Sequence, residues 1–250
     1  MYRGLTVGVA IPALDEEPSI GLVVGDLLAL RTPDGVRLVD DIVVCDNGST
    51  DATASVAATA GARVVQEARA GYGSACQAAI GALDATDIVL FTDGDHAFHA
   101  SQAVQLLDGI ADGADLVIGS RTLGRRQRGA LTRGQAMGNR VATTLIRLLW
   151  RRRMTDLGPY RAIRTQALER LAMADPAFGW TVEMQVKAVQ QDLRVVEVPV
   201  DTRVRLGESK ISGTLKGALG AGFGILSTIA RLRLQQTRRS HDPEPSPAKP

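Results

Sequence analysis

The chain has 250 residues, of which 45% are hydrophobic and 22% charged, and its formal net charge is +2. This composition is ordinary for a globular protein with one large core, so it excludes a fibrous or wholly disordered chain. The two cysteines have no metal-ligand spacing. We interpret both as reduced core residues of a cytoplasmic protein that has no signal peptide.

Apolar runs alternate with helical patterns through the first half of the chain. Ser49 or Thr50 is expected to cap the second predicted helix. The alternation predicts an α/β fold with a mostly parallel sheet flanked by helices and right-handed crossovers. We predict strands over 5–11, 42–46, 63–66, 87–92 and 115–119, and helices near 19–30, 50–60, 74–84 and 101–111.

The pattern changes after Arg121. A long helix is predicted over about 134–150, then another helix, and 195–205 alternates like a later strand. Between Arg121 and Arg153 there are ten arginines and no acidic residue. Such a run is typical of a solvated helix face or of a positive surface for phosphates or anionic lipid, and we favour the positive surface. Nucleic acid is not an expected partner, because no nucleic-acid module is evident and few aromatic residues are available for stacking on bases.

Three of the predicted strands end in carboxylates. Asp15 follows the first strand, Asp46 ends the second, and Asp93 and Asp95 follow the fourth. Ligands of open α/β sheets bind at the carboxyl edge, where these side chains should meet. Asp93 and Asp95 can together face Mg²⁺ or Mn²⁺, which would neutralise a leaving diphosphate. The alternative is plain turn chemistry, since Asp and Gly both favour turns, but we favour the metal site.

Two further short motifs point to a ligand site. Asp46 can accept hydrogen bonds from a nucleobase or a ribose hydroxyl, and Gly48 permits a close approach to the backbone. We interpret Asp51 as a helix cap. The pair Gly71-x-Gly73 is a weak phosphate-loop signal and lacks the dinucleotide fingerprint, which argues against a nicotinamide enzyme.

The motifs occur in a fixed order that carries a family resemblance. They are Ile11-Pro12-Ala13-Leu14-Asp15-Glu16, Asp46-Asn47-Gly48-Ser49-Thr50-Asp51, Gly71-Tyr72-Gly73-Ser74-Ala75, Asp93-Gly94-Asp95, Gly119-Ser120-Arg121, Gly138-Asn139-Arg140, Asp156-Leu157-Gly158-Pro159-Tyr160-Arg161 and Arg205-Leu206-Gly207-Glu208-Ser209-Lys210. In order and spacing the chain resembles the family-two glycosyltransferases with the GT-A fold. Within them it resembles the branch that makes polyprenyl-phosphate sugars, such as dolichyl-phosphate mannose synthase. The resemblance covers roughly residues 5–212.

The resemblance implies an inverting transfer of a sugar from a nucleotide-diphosphate donor, with Mg²⁺ or Mn²⁺ as cofactor and a polyprenyl phosphate as acceptor. Arg121 and Arg133 match arginines expected near the acceptor phosphate, and Arg205 and Lys210 lie on a segment that closes over the donor diphosphate. The implied donor-binding residues are Pro12, Asp15, Asp46, Asp93, Arg205 and Lys210, the metal ligands are Asp93 and Asp95, and the catalytic residues are Asp95, Arg121 and Arg133.

The chain departs from the family pattern at two places. Ala97 stands where relatives often have Gln, two residues after the second metal-binding aspartate. Water would then complete the metal shell, or the donor geometry would differ. The sequence Asp156-Leu157-Gly158-Pro159-Tyr160 replaces Thr-Ser-Gly-Phe or similar, which leaves the acceptor and the sugar open.

The chemical class of the acceptor determines whether the enzyme needs a general base. A lipid phosphate is ionised near pH 7 and can attack without a strong base, whereas a hydroxyl acceptor needs one. His96 and His99 follow the metal motif, but they are equally well interpreted as turn residues. Glu183 is the reserve candidate for the general base, and an equally supported alternative is that it is a helix carboxylate paired with an arginine. The alternatives to a polyprenyl-phosphate glycosyltransferase are therefore a glycosyltransferase with a soluble hydroxyl acceptor and a non-catalytic nucleotide-sugar binding module.

The C-terminal part differs from the rest in composition. We expect a catalytic domain over 1–210, an apolar helical segment over 211–234 and a disordered tail over 235–250. Between Ile211 and Ala230 the only charge is Lys216 and five residues are glycine, so a stable membrane span is not expected. A helix packed on the domain is as well supported as a helix pair lying on the bilayer. We expect a cytoplasmic protein, peripheral at the inner face of the membrane, and leave open a membrane-protein partner or a homo-oligomer. The bilayer pair would place four side chains in the acyl boundary, namely Leu215, Leu219, Phe223 and Leu226.

Overall fold

The computed structural model describes residues 1–207 and 215–239. Within these ranges the chain forms seven strands and eight α-helices, with a short 3-10 helix at Ala100–Gln102. The strands are β1 (Val7–Ala13), β2 (Asp41–Asp46), β3 (Arg63–Gln66), β4 (Ile88–Phe91), β5 (Leu116–Ser120), β6 (Arg161–Arg164) and β7 (Val195–Pro199). The helices are α1 (Glu17–Ala29), α2 (Thr53–Thr59), α3 (Tyr72–Ala82), α4 (Ala103–Ala111), α5 (Arg133–Trp150), α6 (Thr165–Leu171), α7 (Trp180–Gln190) and α8 (Leu215–Arg239).

The seven strands form one sheet in the order β3-β2-β1-β4-β6-β5-β7. Neighbouring strands are parallel except at β6, which is antiparallel to both β4 and β5. The mostly parallel α/β fold predicted from the sequence is therefore confirmed. The chain winds from β1 to β2 and β3 on one side and to β4 on the other, which creates a switch point between β1 and β4. Ligands bind beside such a point at the carboxyl ends of the strands.

β1 lies at the centre of this arrangement. All seven of its residues are buried and uncharged, as expected for a parallel strand covered by helices on both faces. The register with β2 places Ala13 opposite Asp46, so the two strands end level with each other. The loops that follow them therefore start from the same edge of the sheet.

The two faces of the sheet have separate cores. α1 and α4 cover one face through residues such as Ile20 and Leu106. α3, α6 and α7 cover the other face, where Cys45 and Cys76 are buried as free thiols, in agreement with the sequence interpretation.

α7 has contacts on two sides. Met184 and Ala188 belong to the core that α7 shares with the sheet. Val182 and Val186 belong to a third cluster, which α7 shares with α5 and α8. α5 and α8 therefore form an outer layer over α7. A hydrogen bond of 2.8 Å from Trp150 Nε1 to Gln236 Oε1 joins the two outer helices.

The C-terminal segment differs from its sequence prediction. Residues 215–239 form one helix, α8, that buries Ile229 and Leu232 against the domain. In these residues the structure therefore shows the predicted alternative, a helix packed on the domain, and not a helix pair lying on the bilayer. The helix also continues five residues into the stretch predicted as a disordered tail, and there Gln236 accepts a hydrogen bond from Trp150 on α5. The segments 208–214 and 240–250 lie outside the described residues.

No helix in the described ranges combines the length and the apolar character needed to cross a membrane.

Three local predictions are also corrected. Neither Ser49 nor Thr50 caps α2, which starts at Thr53 after Ala52, because both hydroxyl side chains bind Asp15 instead. The strand predicted over 195–205 ends at Pro199, after which the chain turns towards the loop beyond β4. β6 was not predicted as a strand.

Candidate active site

Hydrogen bonds join the loops that follow β1 and β2. The Asp15 N–H donates to Ser49 Oγ at 2.9 Å, and Asp15 Oδ1 accepts from the Thr50 N–H at 2.7 Å. These bonds support the φ of +49° at Asp15, a left-handed conformation that is unfavourable for a residue with a side chain. Asp46 Oδ1 accepts from the Ser49 N–H at 3.0 Å. Asp15 and Asp46 thus share one loop pair, which begins beside the buried Pro12.

Asn47 connects this edge to the glycine motif. Its Nδ2 donates to the carbonyl oxygens of Glu67 and Arg69, each at 2.9 Å, and its Oδ1 accepts from the Gly71 N–H at 2.8 Å. The motif then starts α3, where the hydroxyl of Tyr72 donates to Asp93 Oδ1 at 3.2 Å. The glycine motif and the aspartates after β4 therefore belong to one site.

The start of α3 rests on the backbone of the loop 174–179. The Ser74 N–H donates to the Pro176 carbonyl at 2.9 Å, and a Cβ at Gly73 would lie 2.0 Å from the carbonyl oxygen of Asp175. The other side of the loop binds α8, where Thr228 Oγ1 donates to Asp175 Oδ2 at 2.6 Å. The loop 174–179 therefore lies between the glycine motif and the C-terminal helix.

A cluster of charges occupies the switch point between β1 and β4. Arg205 Nη2 lies 3.0 Å from Glu16 Oε1 and 3.0 Å from Asp95 Oδ2. Asp95 is also fixed by its own loop, because Oδ1 accepts from the Ala97 N–H at 2.9 Å. Arg205 Nε is buried and has no hydrogen-bond partner among the described residues. The cluster thus holds two carboxylates and an arginine with one unused buried donor.

The electrostatics of this cluster favour an additional positive charge. Burial raises the pKa of Asp93 to about 7, with a further rise from Asp95 that Arg205 partly offsets. Burial also raises the pKa of Glu16 to about 7, although Arg205 opposes the rise. The positive charge of Arg205 therefore does not offset the effect of burial on Glu16 and Asp93.

The raised pKa of Glu16 predicts how stability changes with pH. Folded Glu16 retains its proton to about pH 7, whereas the unfolded side chain loses it near its usual pKa of 4.5. Between these values the folded state binds more protons, so the free energy of unfolding falls as pH rises. In metal-free protein we expect Glu16→Gln to remove up to about 3 kcal/mol of this fall between about pH 5 and 8, measured by urea unfolding.

Glu169→Gln, which changes an exposed glutamate on α6, is the matched control and should keep the wild-type pH dependence. Equal pH dependence in wild type and Glu16→Gln would contradict the raised pKa of Glu16.

Arg121 directly follows β5, and the carboxylate of Asp156 holds its side chain. Its Nε and Nη2 donate to the two oxygens of Asp156, each at 2.7 Å, and its backbone N–H donates to Asp156 Oδ2 at 2.7 Å. Asp156 is almost fully buried, and its positive partner lowers the pKa of Asp93 as well. This pair fixes the guanidinium beside the aspartates, while no hydrogen bond of Nη1 occurs within the described residues.

The remaining predicted site residues lie elsewhere. Arg133 is exposed at the first residue of α5, and its side chain forms no ion pair within ranges 1–207 and 215–239. Lys210 lies outside the described residues. Asp51 does act at helix starts, since its carboxylate accepts from the Thr53 and Glu17 N–H groups. The structure thus gathers Asp15, Asp46, Asp93, Asp95, Arg121 and Arg205 at one edge of the sheet but does not bring Arg133 into contact with them.

Glu183, the reserve candidate for a base, and His96 both have structural partners. Glu183 is 1% exposed and accepts from the N–H groups of Ala174 and Asp175, at 3.0 and 2.7 Å. Lys187 pairs with it at 2.9 Å. His96 is fixed on α1 through a 2.8 Å contact between Nε2 and Asp26 Oδ2. Their positions are therefore explained without a role in proton transfer.

Three residues of the site were absent from the sequence prediction. They are Glu16, which shares Arg205 with Asp95, Tyr72, which binds Asp93, and Asp156, which holds Arg121. All three stand inside motifs quoted above. Their position next to predicted site residues was thus the sequence feature that could have identified them.

The aspartates after β4 fit a divalent cation that is shared with a ligand. Within the described part of the chain, no group of three or more His, Cys, Asp or Glu side chains could hold a metal ion. Mg²⁺ is usually bound by one or two carboxylates together with substrate phosphates and water. Asp93 and Asp95 supply such a pair, and their excess negative charge suits this cation.

Comparisons with known proteins agree with this geometry. A family model described as Glycosyl transferase family 2 matches residues 8–172. An uncharacterized glycosyltransferase of Mycobacterium tuberculosis (strain H37Rv) is 38% identical over 232 residues, covering 91% of this chain and 99% of the relative. The dolichyl-phosphate hexose transferase of Haloferax volcanii is 32% identical over 231 residues, covering 91% and 96% of the two chains.

Solved structures share the fold. The glucosyl-3-phosphoglycerate synthase of Mycobacterium tuberculosis, in complex with Mn²⁺, uridine diphosphate and glucosyl-3-phosphoglycerate, superposes with a TM-score of 0.72 at 25% identity. This match covers 92% of the present chain and 80% of the synthase. A crystal structure described only as that of a mycobacterial protein gives a TM-score of 0.74 at 27% identity, covering 92% and 75% of the two chains.

Proposed function

The chain belongs to glycosyl transferase family 2, and we propose that it transfers a sugar from a nucleotide-diphosphate donor to a polyprenyl phosphate, with inversion. In this proposal the protein works at the cytoplasmic face of a membrane, as a peripheral protein. The family match and the sheet topology confirm the resemblance and the GT-A-type fold. The enzyme is thus a glycosyltransferase, and the chemical class of its acceptor is what we propose.

The donor would occupy the edge between the loops after β1, β2 and β4. Asp15 and Asp46 stand where a nucleoside would enter, on a loop pair fixed by hydrogen bonds. Arg205 would bind the donor diphosphate, because its buried Nε has no hydrogen-bond partner among the described residues and its Nη2 already lies at the aspartate cluster. Lys210, which follows on the same segment, would bind the same diphosphate.

A divalent cation would be held by Asp93 and Asp95. When bound, Mg²⁺ or Mn²⁺ supplies positive charge that stabilises the leaving diphosphate. The protein keeps the two carboxylates in place through Tyr72 and the Ala97 N–H. The complexes of the synthase with Mn²⁺ and uridine diphosphate support this assignment.

The observation that carries the phosphate acceptor is the burial of Glu183. The best sequence candidate for a general base is engaged by two backbone N–H groups and Lys187. A phosphate acceptor does not need such a base, because its oxygen is already ionised near neutral pH. The name of the Haloferax volcanii relative, which matches over nearly its full length, supports the same acceptor class.

The reaction then needs positioning and charge stabilisation from the protein. An acceptor phosphate oxygen attacks the anomeric carbon from the side opposite the diphosphate, and the carbon–oxygen bond to the donor breaks with its electron pair on the diphosphate. Arg121, fixed by Asp156, would orient the acceptor phosphate beside Asp93. Arg133, exposed at the start of α5, would bind the same phosphate from the solvent side through a charge-assisted hydrogen bond.

Arg133→Ala tests the acceptor assignment. We expect the KM for a short-chain polyprenyl phosphate to rise about tenfold or more, because a charge-assisted hydrogen bond is lost. The KM for the nucleotide sugar should stay near the wild-type value. Steady-state kinetics with each substrate varied in turn would measure both.

Arg170→Ala, at an exposed arginine on α6, is the matched control and should change neither KM. A parallel rise of the two KM values in Arg133→Ala would show that Arg133 does not bind the acceptor.

A soluble hydroxyl acceptor is the second candidate. A glucosyl-3-phosphoglycerate synthase of Mycolicibacterium paratuberculosis is 43% identical over 100 residues, which is 37% of this chain and 29% of that protein. UDP- and GDP-sugars should therefore be screened with a polyprenyl phosphate and with phosphoglycerate, each with and without Mn²⁺. Transfer to phosphoglycerate alone would replace the lipid acceptor. Donor binding without transfer or hydrolysis would favour the non-catalytic binding module.

A further inference from the structure

β7 carries one charged side chain in an otherwise apolar strand. Its sequence is Val-Val-Glu-Val-Pro, and Val196 and Val198 pack against the core on one face of the sheet. Because side chains alternate along a strand, Glu197 lies on the opposite face, which α7 covers, and it is half-buried there. A carboxylate at such a position is costly unless hydrogen bonds replace its water. The hydrogen bonds of Glu197 therefore indicate its role.

Glu197 binds the short segment that carries the partner of Arg121. Its Oε1 accepts from the Thr155 N–H at 2.8 Å, from Thr155 Oγ1 at 2.9 Å and from the Asp156 N–H at 3.1 Å. Asp156 in turn accepts from Nε and Nη2 of Arg121. The carboxylate of Glu197 thus holds the backbone from which the side chain that binds Arg121 extends.

A row of hydroxyl groups joins the same carboxylate to the residue before Arg121. Thr155 Oγ1 donates to Glu197, so it accepts in its 2.7 Å contact with Ser120 Oγ. Ser120 Oγ therefore donates to Thr155, and it accepts from the Leu123 N–H at 3.3 Å. The direction of the row is fixed because a hydroxyl has one proton and a carboxylate only accepts. Glu197 thus constrains Arg121 through its chain neighbour as well as through its ionic partner.

Two helices hold the other side of this segment. Asn139 on α5 donates to the Thr155 carbonyl at 3.1 Å. Gln185 on α7 donates to the Asp156 carbonyl at 2.8 Å. Both amides are neutral, whereas hydrogen bonds to a carboxylate are about twice as strong as neutral ones. The loss of Glu197 should therefore loosen the segment more than the loss of either amide.

We propose that Glu197 is a positioning residue for the sugar transfer, which sets the guanidinium of Arg121 by acting through Asp156 and Ser120. The inference rests on the proposed function, in which Arg121 binds the acceptor phosphate. Since Nε and Nη2 of Arg121 are fixed by one planar carboxylate, the remaining donors of the guanidinium have a single direction. Glu197 therefore acts on acceptor binding and leaves the donor site unchanged.

A purely structural role is the alternative for Glu197. Its contacts join β7 to the segment before β6, so its loss costs stability under either reading. The two readings differ in the kinetic constant that changes. A structural glutamate affects the fraction of folded enzyme and thus the apparent kcat, whereas a positioning residue changes the KM for the acceptor.

Steady-state kinetics of Glu197→Ala, with each substrate varied in turn, test the proposal. We expect the KM for a short-chain polyprenyl phosphate to rise about tenfold, because the charge-assisted bond from Arg121 is lost. The KM for the nucleotide sugar should stay at the wild-type value. Glu197→Gln keeps an oxygen that accepts from the two N–H groups, so it should restore the acceptor KM to within about threefold of wild type.

Thr155→Val is a milder second variant, which also serves if Glu197→Ala does not fold. It keeps the shape of the side chain and removes only the hydroxyl link between Ser120 and Glu197. The acceptor KM should rise about threefold, as expected for one neutral hydrogen bond. A wild-type acceptor KM in Thr155→Val and in folded Glu197→Ala would overturn the proposal.

A double-mutant cycle shows whether Glu197 acts through Arg121. Arg121→Ala alone should raise the acceptor KM. Adding Glu197→Ala should raise it no further, because the group that Glu197 positions is already absent. Additive effects of the two substitutions would contradict the positioning role.

Asp115→Ala is the matched control. Asp115 is also a half-buried carboxylate between β5 and β7, and its Oδ2 accepts from the Arg194 N–H at 2.8 Å. It lies at the amino ends of these strands, whereas Arg121 follows the carboxyl end of β5. The variant should lose stability and keep both KM values. A rise of the acceptor KM equal to that in Glu197→Ala would leave no specific role for Glu197.

The crystal structure of Glu197→Ala separates this inference from the proposed function. We expect at least one hydrogen bond between the Arg121 guanidinium and Asp156 to be lost. A guanidinium that keeps both bonds would overturn the positioning role. A displaced guanidinium, with a wild-type acceptor KM in both Glu197→Ala and Arg121→Ala, would instead leave the positioning role and remove Arg121 from acceptor binding.

Discussion

Asp95→Asn should lower transfer activity by about 100-fold or more while the protein stays folded, because the exchange keeps the shape of the side chain and removes its charge. The lost charge would face both the cation and Arg205, which lies 3.0 Å from Asp95 Oδ2. The amide oxygen can still accept from the Ala97 N–H, so the loop has no reason to unfold. Activity at saturating Mn²⁺ and the thermal midpoint would measure the two effects.

Asp84→Asn is the control for this experiment. Asp84 is 80% exposed and pairs only with Arg63, at 3.3 Å, among its ionic contacts in the described residues. Its loss should leave transfer unchanged. Metal-dependent activity near the wild-type level in folded Asp95→Asn would refute the role of Asp95 in metal binding.

Two glycines of α3 should respond in opposite directions to alanine. At Gly73 a Cβ would lie 2.0 Å from the Asp175 carbonyl oxygen and 2.9 Å from the Pro176 carbonyl carbon. Backbone atoms cannot rotate away, so Gly73→Ala should reduce the free energy of unfolding by about 3 kcal/mol. At Gly81 the Cβ would meet nothing within 4 Å, so Gly81→Ala should stabilise the helix by about 1 kcal/mol.

Urea unfolding with a common m-value would measure both changes. Gly73→Ala should also lose transfer activity, because Tyr72 would move away from Asp93. Equal effects of the two substitutions would show that the contact between α3 and the loop 174–179 is not as tight as the distances indicate.

The parallel part of the fold was predictable because its strands carry strong local signals. β1, β2 and β4 are short apolar runs that end in polar motifs. Such runs with helices between them have few arrangements other than a parallel sheet. The meeting of Asp15, Asp46, Asp93 and Asp95 at one edge follows from that topology alone.

The antiparallel strand β6 could not be recognised in the same way. It has four residues with an arginine at each end, and nothing in this pattern indicates a buried strand. Arg161 is buried only because its guanidinium donates to the carbonyl oxygens of Leu157, Gly158 and Thr181. Leu157 and Gly158 come just before the strand, whereas Thr181 lies 20 positions away on α7 and is brought near Arg161 only by the fold.

The charge partners in the site were hidden for a related reason. Asp156 and Arg121 are 35 positions apart, and Glu16 and Arg205 are 189 apart. Hydrophobic periodicity reports on neighbours within one element, whereas these pairs depend on where separate loops end. The sequence therefore indicated which residues are polar at the edge, but it did not indicate which cation each carboxylate would bind.

The loop 174–179 has a consequence for how the family domain should be delimited. The family model ends at residue 172, two positions before this loop. Yet the carbonyl oxygens of Asp175 and Pro176 form the surface on which Gly73 and Ser74 rest. A protein shortened to the matched segment would keep the recognisable motifs and lose the support beneath one of them. The folded unit that supports the glycine motif is thus longer than the segment that the family model matches, and it extends to α8, where Thr228 donates to Asp175.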